Sequence, residues 1–331
     1  MTDPVPISDT DINDALRRLR SGGLVAFPTE TVYGLGADAL KPGAVNRVYE
    51  LKQRPRTNPL IVHVSDAAAA ADLVRGWPRE AELLARAFWP GPLTIVLPRS
   101  ERVPDIVTAG GPNVALRCPD HPVALALLRA YEGPLVGPSA NPSGGLSPTT
   151  ADHVREAFNP EDVFVLDGGP CRVGVESTVV LLDEAPRVLR PGVIGADEIA
   201  RVLGVPVATG AQRKGERLHA PGQLETHYAP QSPASLYDTD QELARLLEQA
   251  PGHAVIITEN PRRLPTPPDS LVQMPRDARA YASRLYAALR DADALEPSLI
   301  AIHRPAPMAG TSPEDMAIWA AVLDRLTRAT S

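Results

Sequence analysis

Between Arg54 and His63 the chain reads RPRTNPLIVH, a stretch with little freedom in how it can fold. Pro55 and Pro59 hold their own φ at about −65° and push Arg54 and Asn58 out of the helical region. The apolar run Leu60-Ile61-Val62 then reads as a buried strand that ends at His63. Lys52, just upstream, joins Arg54 and Arg56, so the strand is entered through a stiff cationic loop. Such a loop suits phosphate, because each guanidinium offers a bidentate fork. Cations also collect at helix C-termini, where each contributes about 0.3–1 kcal/mol, so spacing alone leaves both explanations open.

A second loop has the same build. Ser139 and Asn141 follow the short apolar strand Leu135-Val136-Gly137 and stand between Pro138 and Pro142. Their hydroxyl and amide groups are neutral hydrogen-bonding partners for phosphate or ribose. Arg117 and Arg190 each close an apolar strand, and a buried Arg needs either a carboxylate partner or an anionic ligand. These groups all fall at strand ends or in adjoining loops, where open α/β sheets bind ligands.

The surrounding pattern alternates helices with strands, some strands adjacent, which fits an α/β domain with a mixed, twisted sheet over residues 1–205. Helical spacing predicts a first helix over Thr10–Arg20 and a second that Pro55 must end, with a buried strand at Leu24–Phe27 between them. Pro28–Gly36 reads as a polar turn. Gly, Pro and charge dominate 206–233, a linker. Over 234–331 the alternation becomes regular, the mark of a small open α/β sheet.

Several chemistries are excluded. Gly34-x-Gly36-x-x-Ala39 is close to a dinucleotide fingerprint, but Lys52, Arg54 and Arg56 stand where its ribose-binding carboxylate belongs. No P-loop motif occurs, the 7 His lack metal-ligand spacing, and Ser177 has no nucleophile-elbow context. Thr31 and His63, taken singly, are ordinary strand-end residues. A net charge of −7 argues against an extended nucleic-acid face. Two cysteines, Cys118 and Cys171, fit a reducing cytoplasm, and no export signal or membrane-length apolar stretch is visible.

In order along the chain, PTETVYGLG, LKQRPRTNPLIVHV, FWPGPLTIVL, ALRCPDHP, GPSANPSG, DGGPCRVGVESTVV, LRPG and HYAP resemble the long, two-domain form of threonylcarbamoyl-AMP synthases. The resemblance is dense from Gly22 to Gly204 and returns at His227–Pro230. It implies a YrdC-like domain with a basic cavity, joined by a linker that acts as an active-site lid to a small Rossmann-like domain. The implied reaction is L-threonine, bicarbonate and ATP giving L-threonylcarbamoyl-AMP and pyrophosphate. The product would pass to the machinery that modifies the adenosine beside the tRNA anticodon, with no stable nucleic-acid binding and no membrane.

Carried over position by position, Lys52, Arg54, Ser139 and Asn141 form the family's catalytic tetrad. Arg54, Asn58, Asn113, Ser139, Ser147, Arg190 and Tyr228 would contact ATP, and Thr31, His63, Arg117, Gly137 and Ser177 would surround threonine. Mg²⁺ would be held mainly through the ATP phosphates, with no protein metal site. Two alternatives stay beside this: an RNA-binding protein without activity, and a carbamoyl-AMP-forming relative of the hydrogenase-maturation type. The latter carries cysteine-rich zinc modules, for which two cysteines are too few.

Overall fold

The computed structural model describes residues 8–210, 228–250, 252–259 and 270–330. Most of the expected linker, 211–227 and with it His227, lies outside the described residues; Tyr228 lies within them.

The first helix, α1 (Asp9–Arg20), starts where the Ser8 side chain accepts from the Asp11 N–H, satisfying one of the donors a helix N-terminus leaves open. Leu24–Phe27 is β1. The segment from Gly34 does not stay a turn: Gly34–Asp38 forms β2, antiparallel to β1. Glycine content hides this strand in the sequence, yet the small residues are what the pairing needs. A Cβ on Gly36 would lie 2.9 Å from the Val25 carbonyl and 3.0 Å from the Phe27 ring.

Helix α2 (Pro42–Lys52) begins with proline and ends where Gln53 turns left-handed at φ 51°, which throws Arg54 into its loop. Then follow β3 (Ile61–His63), the short helix α3 (Ala67–Ala71), α4 (Arg79–Phe88), β4 (Leu93–Pro98) and β5 (Asn113–Arg117). Next come α5 (Pro122–Tyr131), β6 (Leu135–Val136), α6 (Ala151–Ala157), β7 (Val163–Val165), β8 (Thr178–Leu181) and β9 (Arg187–Arg190). Helix α7 (Ala196–Leu203) and β10 (Ala208–Thr209) complete this part, β10 falling inside the stretch expected to be linker.

These strands make one mixed sheet of order β10-β9-β8-β4-β5-β3-β6-β2-β1-β7. Apolar residues from α2, α4, α6 and α7 pack with the strands into the largest core cluster. On the opposite face α1 and α5 cover Val25, Phe27 and Leu135. Further along, strands β3, β4, β5, β8 and β9 supply Ile61, Val96, Ala115, Val179, Leu181 and Leu189, a buried cluster to which, among the described residues, no helix contributes. That helix-free stretch is the floor on which the candidate site is built.

The remaining chain forms a parallel sheet of order β11-β14-β12-β13, from β11 (Ala234–Tyr237), β12 (Ala254–Thr258), β13 (Leu271–Gln273) and β14 (Leu299–His303). Among the described residues three helices accompany it: α8 (Asp240–Gln249), opened by a Thr239/Glu242 capping box, α9 (Ala278–Asp293) and α10 (Pro313–Ala329). The two sheets share a core, since Val32, Leu146, Val175 and Tyr228 pack with residues of α9, α10, β12 and β14. Gly174 sits at φ +79° so close to α9 that a Cβ there would lie 2.4 Å from the Ala282 carbonyl.

Candidate active site

Strands β3 and β5 run parallel with His63 paired to Arg117, so the imidazole and the guanidinium emerge side by side from the same face. Antiparallel pairing of β6 to β3 brings Gly137 against them. A small cavity opens there, lined by Val32, Arg54, Ile61, His63, Arg117, Gly137, Pro138, Ser139, Glu176, Arg190 and Tyr228. Seven of these are site residues expected from the sequence: Arg54, His63, Arg117, Gly137, Ser139, Arg190 and Tyr228.

Three buried guanidinium groups on one wall would repel each other if nothing balanced them. Arg117 is answered by Glu30, whose Oε2 accepts its Nη2 at 2.8 Å with both side chains buried. Nη2 also donates to Thr31 Oγ1 at 2.8 Å, and Nε reaches the Gly91 carbonyl at 3.4 Å. The choice between carboxylate partner and anionic ligand is therefore met at least on the carboxylate side. Two of the five guanidinium donors, on Nη1, have no protein acceptor among the described residues.

Arg54 faces the cavity while holding its own loop: Nε donates to the Asn58 carbonyl at 3.1 Å and Nη2 to the Pro59 carbonyl at 2.8 Å. Burial brings its pKa down to about 10, with the neighbouring Arg190 acting in the same direction. An anion entering the cavity would relieve both effects. Arg56, by contrast, lies at the surface against Glu50 and the Tyr49 ring and takes no part. The same cationic tripeptide thus splits into an inward and an outward arginine.

Lys52 is buried behind the wall. Its Nζ donates to the backbone carbonyls of Ser139, at 2.6 Å, and Asn141, tying the second loop to the end of α2. Burial first, and Arg54 second, hold its pKa well below the ordinary lysine value. Asn141 Nδ2 in turn donates to the Pro142 and Gly145 carbonyls at 2.8 Å, leaving Oδ1 buried without a partner. Both side-chain polar atoms of Asn58 and Nδ1 of His63 are likewise buried without partners. Burial, reinforced by Arg117, drives the His63 pKa well below its usual value, so the ring is a neutral imidazole at physiological pH.

Thr31, Ser147 and Ser177 stand one hydrogen bond from the lining. Thr31 receives from Arg117, Ser147 donates to Glu176 Oε1 at 2.7 Å, and Ser177 Oγ receives from Arg190 Nη2 at 3.1 Å while bonding Thr94 Oγ1 at 2.8 Å. Asn113 is different. It opens β5, four residues and about 13 Å along the strand from Arg117, and does not line this cavity.

Sequence reasoning does not single out four residues, Glu176 in the lining and Glu30, Tyr286 and Arg325 behind it. Glu30 lies inside the motif PTETVYGLG, in a stretch that reads as turn. Glu176 is the second carboxylate, and its partners, Tyr286 and Arg325, come from α9 and α10. Both Tyr286 and Arg325 are buried, and no local pattern marks either as facing this sheet.

A strand-end cavity lined by three arginines on a mixed sheet, with a second, parallel sheet packed alongside, defines a two-domain α/β protein. Residues 17–192 match the family model described as "Telomere recombination", and residues 194–331 the one described as "Threonylcarbamoyl-AMP synthase, C-terminal domain". The chain is 46% identical over 244 residues to the threonylcarbamoyl-AMP synthase of Pyrococcus abyssi, covering 72% of this chain and 71% of that one. To the Bacillus subtilis protein of the same name it is 44% identical over 252 residues, 75% of this chain and 73% of that one. The crystal structure of P. abyssi Sua5 complexed with L-threonine superposes with a TM-score of 0.86 at 37% identity, over 98% of this chain and 96% of that one. The chain belongs to the threonylcarbamoyl-AMP synthase family of enzymes.

Proposed function

We propose that this enzyme joins L-threonine, bicarbonate and ATP into L-threonylcarbamoyl-AMP with release of pyrophosphate, as the first step of threonylcarbamoyl modification of tRNA in the cytoplasm. The observation that carries the proposal is the convergence of Arg54, Arg117 and Arg190 with Ser139 and a neutral His63 on one buried cavity. Three cations suit a triphosphate and an amino-acid carboxylate together.

The threonine amine adds to bicarbonate, and loss of water leaves a carbamate. A carbamate oxygen then attacks the α-phosphorus in line, forming the mixed anhydride while the bond to pyrophosphate breaks. No covalent enzyme intermediate is required. Positioning can contribute about 7–11 kcal/mol, and fixed cations stabilise charge that develops on the phosphate.

In this scheme the two open donors of Arg117 take the threonine carboxylate, and Thr31, bonded to the same guanidinium, stands beside it. The unpartnered Nδ1 of the neutral His63 can accept a hydrogen bond from the substrate. Arg54 and Arg190 face the phosphates. Magnesium would arrive on the triphosphate, because Glu30 and Glu176, the carboxylates at the cavity, are both engaged by arginines. It would neutralise phosphate charge.

The decisive experiment measures pyrophosphate release from ATP with each common amino acid, with and without bicarbonate. Release that depends on both threonine and bicarbonate is expected. Equal release with serine, alanine or no amino acid would remove threonine from the proposal.

A further inference from the structure

Glu176 is nearly closed off from solvent, and groups from both domains share its carboxylate. Oε1 accepts from Ser147 Oγ at 2.7 Å, Tyr286 OH lies 3.0 Å from both oxygens, and Oε2 accepts from Arg325 Nε at 2.7 Å. Arg325, itself 1% exposed, also bonds Asp324 Oδ2 at 2.7 Å and lies 5.3 Å over the Tyr228 ring. Tyr228 and Tyr286 rings are in turn 5.8 Å apart. A second tie runs parallel: Arg290 of α9 donates to the Leu146 carbonyl, next to Ser147.

Glu176 is thus bonded to one arginine and lines the same cavity as another, with opposite consequences. Arg325 belongs to the C-terminal helix. Arg190 belongs to the cavity and holds Ser177 through its carbonyl and its hydroxyl, both at 3.1 Å. A carboxylate has about four acceptor positions. Here Ser147, Tyr286 and Arg325 draw on them.

We propose that Arg325 is a positioning residue of the nucleotide site, engaging Glu176 so that this carboxylate fixes Ser147 and its charge is shared with Arg325 rather than falling on Arg190 alone. The inference rests on the adenylation reaction proposed above. It gives the C-terminal domain a definite role, in which α10 sets the charge balance of the phosphate-facing wall. With Arg325 gone, Glu176 keeps a negative charge with spare acceptor capacity, in the same cavity wall as Arg190, which is bonded to the next residue, Ser177. ATP phosphates then compete with a protein carboxylate for Arg190, whereas the Arg117 side of the cavity, balanced by Glu30, is unchanged.

The test is steady-state pyrophosphate release by the full chain, with KM for ATP and for threonine determined separately. Arg325→Met is expected to raise KM for ATP by about tenfold or more, the effect of losing about 1.4 kcal/mol of binding, with KM for threonine within about twofold of wild type. Adding Glu176→Gln to Arg325→Met removes the competing charge and is expected to recover most of the ATP affinity. Should Arg325→Met not fold, Arg325→Lys takes its place, keeping the charge without the planar fork, with a smaller rise confined to ATP. Both KM values rising together, or ATP affinity unchanged in a folded variant, or no recovery in the double variant, would overturn the role of Arg325 and leave the proposed reaction standing. A wild-type chain without threonine-dependent release would remove both.

Discussion

Lys52 Nζ donates to the main-chain carbonyl of Ser139 at 2.6 Å, bridging the end of α2 to a loop 87 residues further on. With the companion bond to the Asn141 carbonyl, this buried ammonium is the mechanical link between the two proline-bracketed loops. Its part in the site is to hold Ser139 where it lines the cavity, since Nζ is spent on backbone.

Lys52→Met should therefore act on stability and turnover at once. The methionine fills a similar volume but leaves two carbonyls without their donor, at about 1–3 kcal/mol for each that stays buried. Denaturant unfolding is expected to show the loss, and pyrophosphate release from the folded fraction should fall by about tenfold or more as Ser139 drifts. A variant as stable and active as wild type would mean that the loops hold their relation without Lys52.

The Arg117–Glu30 pair supports a second expectation. Both side chains are buried, and removing one partner of such a pair costs about 3–5 kcal/mol because the other charge is left uncompensated. Glu30→Gln should lose stability on that scale, and Glu30→Gln/Arg117→Met clearly less. Activity separates the two: the double variant lacks the group assigned to the threonine carboxylate and should be inactive despite its better stability.

His63 gives a pH signature. Burial and Arg117 put its folded pKa well below the ordinary 6.5, so below about that pH the unfolded chain binds a proton the folded chain refuses. Stability from this group is intact above the unfolded pKa and falls as pH drops beneath it, by at most about 1.4 kcal/mol per pH unit for one proton. His121 and His153 are shifted the same way and His303 the opposite way, so the informative quantity is a difference. Wild type minus His63→Gln, followed by urea unfolding from about pH 7.5 to about 5, should slope downward toward acid. A flat difference would place a charged imidazole in the folded protein.

How far the sequence foretells this arrangement depends on the range of the interaction. Pro55, Pro59, Pro138 and Pro142 act on their own neighbours, so both loops are visible, as are the strands that feed them. Strand β2 is hidden because its residues, Gly-Leu-Gly-Ala-Asp, have no strand propensity and are explained only by the close approach of β1. Arg54 and Arg56 look alike in sequence, and only the left-handed turn at Gln53 and the packing beyond it send one inward and the other to the surface. The carboxylates are illegible for the same reason: Glu176 finds Arg325 across 149 residues, a pairing no spacing rule can anticipate.

Gly174 is where that long-range docking can be broken with a single methyl group. Its φ of +79° is costly for any residue with a side chain, and the added Cβ would meet Ala282 O and Ser283 Cα at 2.4 Å, backbone atoms that cannot swing aside. Gly174→Ala should therefore push the loop carrying Val175, Glu176 and Ser177 off α9, weakening the Tyr286 and Arg325 contacts together. Because each sheet also has core clusters apart from the shared one, the expected outcome is a folded chain with a larger radius of gyration by X-ray scattering and turnover reduced by about tenfold or more. Hydrogen exchange should rise along α9 and around Ser147, while α1 and α5, on the far part of the sheet, stay protected as in wild type. An unchanged scattering profile with full activity would show that the packing of loop on helix has slack, and that neither the charge at Glu176 nor the position of Ser147 depends on it.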